Sequence, residues 1–136
     1  MDAQLSERHT PGTLWKETQR HWHCYADELN VGERVEYNRP EQTVAKTPDE
    51  VMAWMEAETD KLLPRVTDRW RAEADRLRSN ETLREIHLAA LRGGKGTAAV
   101  IRLSDARVMC LQAVQAGPPI NHPGILGSQE CVRHPS

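Results

Sequence analysis

The stretch from Thr47 to Gly94 constrains the chain most, because its caps, breaks and apolar spacing specify helix through about a third of the length. It opens with Thr47-Pro48-Asp49-Glu50. That order places a threonine cap before proline at the first helical position and glutamate three residues on, the layout of a capping box. It closes at Arg92-Gly93-Gly94, a cation in the last turn followed by glycine suited to a left-handed cap. Pro64 cannot continue the hydrogen bonding of a helix, and Ser79-Asn80 offers a fresh cap, so three segments are expected. Each has its own stripe: Val51, Met52, Trp54, Met55 and Leu62; then Val66, Trp70, Ala74 and Leu77; then Leu83, Ile86, His87, Ala90 and Leu91. Helices this short are stable only when such stripes are buried against something.

On the N-terminal side, residues 1–12 are polar and end in Pro11-Gly12, which predicts a flexible arm. Trp15, Thr18, Trp22, Tyr25 and Leu29 then recur at helical spacing, which predicts a helix of about four turns. A strand over 21–26 competes, since aromatic residues favour sheets, but the longer periodicity decides for helix. Glu33 to Asn38 alternates, with Val35 and Tyr37 on one side, and predicts a short strand near 33–38. A second short strand is expected over 42–45.

On the C-terminal side, Thr97 to Leu103 reads as a strand after the Gly93–Gly96 connection. Ser104 to Arg107 either turns the chain back into a strand over 108–114 or caps a helix ending at Ala116. Two apolar runs of matching length favour the hairpin, over 98–115. The prolines at 118, 119 and 123 predict an extended, mobile tail over 118–136. The expected architecture is α+β: a small, helix-dominated single domain over 13–117, three to four helices packed with the short strand and the hairpin.

A chain of 136 residues suits one domain, and 38% hydrophobic content limits its core. With no phenylalanine, Trp15, Trp22, Trp54 and Trp70 are the expected anchors of packing. The net charge of −2 hides a polarity: residues 1–60 carry −7 and residues 61–136 carry +5. Opposite halves of this kind pair within a fold or between copies, and the acidic half disfavours a general nucleic-acid coat. Arginine outnumbers lysine 14 to 4, which fits anion binding or simply a biased composition. The first residues show no basic region leading into an apolar one, and no run is long enough to span a bilayer. Cys24, Cys110 and Cys131 are an odd count, best read as free thiols in a cytoplasmic protein.

Five constellations are candidates for chemistry or binding. His21, His23 and Cys24 are zinc-type ligands, and Cys131 and His134 could complete a set. On a helix His21 and Cys24 share a face; on a strand His21 and His23 do. His87 and Cys110 would form a nucleophilic pair only within hydrogen-bond reach, and each is better read as core. Gly93-Gly94-Lys95-Gly96-Thr97 lacks the order of a phosphate loop, which needs lysine directly before Ser or Thr. Arg65, Arg69 and Arg76 lie along one side of a helix as a candidate partner or nucleic-acid face, yet carboxylates are interleaved at pairing distance. Glu56 and Asp60 belong to an acidic surface suited to a basic partner.

No catalytic residue set is legible. The expected function is therefore a non-catalytic cytoplasmic binding or regulatory protein that acts through a protein partner or as a homodimer, with no cofactor and no membrane. The order of a short strand, a capped helix and a late hairpin resembles small immunity and antitoxin-type proteins, which implies a neutralising role; no sequence motif carries that likeness. The competing expectations are a small zinc enzyme around His21, His23 and Cys24, and a nucleic-acid-binding regulator using Arg65, Arg69 and Arg76.

Overall fold

The computed structural model describes residues 13–36 and 38–118, together with the backbone pairing of 129–130. The helical block divides where its sequence dictates. Helix α2 (Pro48–Leu62) starts at Thr47, whose side chain accepts from the Glu50 amide at 3.1 Å, while Glu50 Oε1 accepts from the Lys46 amide at 3.0 Å. Pro64 falls in a single 3₁₀ turn, Leu63–Arg65. Helix α3 (Asp68–Ser79) ends at Asn80, and the Asn80 side chain caps α4 (Glu81–Arg92) by accepting from the Leu83 amide at 2.9 Å. Gly94 then takes φ +80°, a left-handed conformation open to glycine at no steric cost.

The hairpin is present as β3 (Thr97–Arg102) and β4 (Arg107–Gly117). Its turn is tied by Ser104 Oγ, which accepts from the Arg107 amide at 3.1 Å. The largest correction concerns the N-terminal side. The expected four-turn helix is one turn, α1 (Leu14–Glu17), followed by a ten-residue strand, β1 (His21–Asn30). The spacing of Trp15, Trp22 and Tyr25 fits a helix, but His, Trp, Cys, Tyr and Asp are poor helix formers. β4 supplies ten consecutive cross-strand partners, from His21↔Ala116 to Asn30↔Arg107. That ladder outweighs the periodicity. The strand expected near 33–38 is also absent from residues 33–36; two apolar side chains are too few to hold it, and Tyr37 lies outside the described residues. The short strand after it is β2 (Thr43–Ala45), antiparallel to β1.

The outcome is a mixed α+β domain, more evenly divided than the helix-dominated reading. Four antiparallel strands run in the order β2-β1-β4-β3, and β5 (Gln129–Glu130) pairs in parallel with the end of β4. The other expectations for residues 1–12, 119–128 and 131–136, including Cys131 and His134, lie outside the described residues.

One sheet face packs on the helices. Trp22 and Cys24 of β1 and Ala113 of β4 meet Val51, Met52 and Met55 of α2 and Leu88 and Leu91 of α4. A second cluster joins Ile101, Leu103 and Leu111 to Leu62, Val66 and Ala74. The tryptophans anchor both: Trp22 is fully buried and donates to the Lys95 carbonyl at 2.9 Å, while Trp70 packs on the second cluster under Arg102, 4.4 Å from its ring centre. On the opposite face Arg39 ties the sheet, donating to Asp27 at 2.9 Å and Gln112 at 2.8 Å and lying 4.2 Å from the Tyr25 ring centre. Among the described residues no helix is long and apolar enough to cross a membrane.

Burial and capping predict separable losses. Leu111→Ala, at a fully buried position of the central strand, should cost about 3 kcal/mol in urea unfolding. Thr47→Ala should cost about 1 kcal/mol, the usual value of a side-chain cap. Equal losses would contradict this division between sheet core and helix end.

Candidate binding cleft

A cavity of about 250 Å³ opens between the helices and the outer strand β3. It follows from the periodicities. Met52, Met55, Glu56 and Thr59 recur at three and four residues and so share one face of α2. Leu83, Arg84 and His87 do the same on α4, Leu77 and Arg78 arrive at the end of α3, and Ala98 to Ile101 supply the fourth side. The interior is apolar, with Met52, Met55 and Ile101 almost fully buried beneath it. His87 reaches Thr97 Oγ1 through Nδ1. Burial disfavours its charged form and lowers its pKa from the ordinary value of 6.5.

The lip is ionic. Glu56 accepts from Arg84 Nε at 3.0 Å and lies 3.9 Å from Arg78 Nη1. Asp60 accepts two bonds from Arg78, at 2.7 and 3.2 Å. The Arg78 bonds hold the Asp60 carboxyl below its usual range, and Asp60 raises Arg78 in return. Two acids from the negative half of the chain thus meet two arginines from the positive half, and the four charges cancel. The same crossing recurs where Glu28 binds Arg65 at 2.6 Å and Arg107 at 3.0 Å. Exposed pairs like these contribute little stability each; their effect is to define which charges face one another.

Of the residues singled out in the sequence, Glu56 lines this cleft, and Asp60 joins it through their shared partner Arg78. Arg65 and Arg69 are elsewhere, against Glu28 and Asp105, the latter at 3.1 Å. Arg76 is exposed on α3. The strand geometry separates the proposed metal ligands: His21 and His23 lie on the face away from the helices, with Nε2 atoms 3.2 Å apart, and His23 Nδ1 is 3.0 Å from Glu41. Cys24 points into the core on the other face, where burial pushes its thiol up to about 12. Among the described residues no group of three or more His, Cys, Asp or Glu is placed to hold a metal ion. His87 and Cys110 lie on opposite faces of the sheet, since Thr97 pairs with Ala113 while Cys110 pairs with Val100 in the alternate register. No sequence motif marks the cleft. Its only sequence signal was a histidine, His87, on an otherwise apolar stripe.

Compared with known proteins, the chain matches no family model, no curated protein and no solved structure.

The His87 environment sets a pH dependence. The unfolded chain takes up a proton near pH 6.5 that the folded chain resists, so this group's contribution is present above pH 6.5 and declines as pH falls below it. Unfolding free energies measured from pH 8 to pH 5 should therefore fall less steeply in His87→Gln than in the parent protein. Parallel curves would show that His87 is not buried as described.

Proposed function

We propose that this protein is a non-catalytic binding protein that captures an extended segment of a protein partner along β3. The observation that carries this reading is the position of β3 at the cleft. Among the described residues it is the last strand on its side of the ladder, four consecutive residues (98–101) line the cavity, and Val100, on the sheet face away from the helices, is 57% exposed. An outer strand offers unpaired amides and carbonyls, and folds that avoid such pairing guard the edge with lysine or proline. Ala98-Ala99-Val100 carries neither. A partner strand added there would gain main-chain hydrogen bonds, while alternate side chains entered the apolar cavity. The Glu56, Asp60, Arg78 and Arg84 lip would form the polar rim that selects charge beside the apolar contact.

Burial raises the thiol pKa of Cys24 and Cys110, which argues against either as a nucleophile, since the thiolate is the attacking form. A zinc-dependent alternative keeps one favourable observation, the His21–His23–Glu41 chain, but Cys24 could not serve it from the core. Metal analysis of untagged protein decides that alternative. The cytoplasmic setting is part of the proposal.

Selection of a displayed peptide library on the purified protein tests the main reading. Enriched sequences should be extended, proline-free and alternately apolar, and Val100→Lys should weaken the best of them at least tenfold while unfolding like the parent. Helix-forming winners, or binding indifferent to Val100→Lys, would refute it.

A further inference from the structure

Away from the cleft, three independent irregularities converge where the turn after α1 meets the end of β4. Gln19 has φ +55°, uncommon for a residue with a side chain. Arg20 is only 3% exposed, yet among the described residues its Nε and Nη1 have no hydrogen-bond partner. Among the described residues its side-chain bond runs from Nη2 to the Pro118 carbonyl at 3.0 Å. Gly117 approaches so closely that a Cβ there would lie 2.6 Å from the Gln19 carbonyl oxygen and 3.2 Å from Arg20 Nη1. Any other residue at 117 would collide with the Gln19 carbonyl and crowd the guanidinium.

A buried cation with unmatched donors is costly, because it has lost water without gaining a counter-charge. Among the described side chains no carboxylate pairs with Arg20. Desolvation accordingly lowers the Arg20 pKa. A guanidinium keeps its proton at any ordinary pH, so neutralisation does not relieve the cost. An anion does.

We propose that Arg20 forms the base of a small oxyanion site, taking a carboxylate or phosphate group, bounded by Gly117 and the Pro118 carbonyl at the α1–β1 turn. Planar, delocalised guanidinium suits either group. The backbone at Gln19, the burial of Arg20 and the absence of a side chain at 117 all serve to hold the unmatched donors in place. This site is independent of the cleft along β3.

Titration calorimetry and thermal unfolding of the full chain, at constant ionic strength set with chloride, test it. Inorganic phosphate and sodium acetate are the two probes. At least one should bind saturably and raise the melting temperature by about 3 °C or more at saturation. A response to phosphate alone assigns a phosphate-bearing ligand, and a response to acetate alone assigns a carboxylate. Arg20→Gln should abolish the response and, in chloride, melt no lower than the parent, because it removes an uncompensated buried charge. Absence of heat and of any shift with both probes in the parent protein overturns the proposal whether or not the variant folds. So does a response that Arg20→Gln retains.

Discussion

The pairing of β1 with β4 is the interaction on which the remainder of the structure depends. It joins residues 21–30 to residues 107–116 through ten consecutive partners. Each strand then presents an apolar face to the helices: Trp22 and Cys24 from one, Leu111 and Ala113 from the other. β2 adds to the free side of β1 and β3 to the free side of β4, so the sheet grows outward from this pair. The whole helical block is the connection between its two sides. Closing so long a loop carries an entropic cost before the pairing repays it. Trp22 and Leu111 are both fully buried in the central pair.

The helices were legible because their signals are local. A threonine cap, a proline and an asparagine cap act within four residues, and each performs in the structure the role its position implies. The hairpin was legible for the same reason. β1 was not, because its partner lies some eighty residues away and its own spacing happens to satisfy a helical stripe. The consequences for the candidate sites were direct. A strand separates Cys24 from His21 and His23, and it brings the two histidines together, which is the alternative that the sequence left open. The cleft was illegible because it is made of four elements, and only their assembly brings Glu56, Arg84, His87 and Ala99 around one space.

The charge polarity finds its use inside the fold. Glu56 and Asp60 against Arg78 and Arg84, and Glu28 against Arg65 and Arg107, consume charges that the sequence offered for contact with another molecule. The partner strand proposed above would therefore be recognised by shape and main-chain pairing, at the outer edge of β3 and the apolar cavity beside it, rather than by a strong field.

Residue-resolved amide hydrogen exchange on the free protein tests most directly whether that edge is available. In an outer strand the amides alternate between those bonded to β4 and those facing outward. Across Ala98, Ala99, Val100 and Ile101 the account predicts alternation, with every second amide exchanging orders of magnitude faster than its neighbours. Uniform protection of all four would mean that the edge is already paired, and would contradict the account.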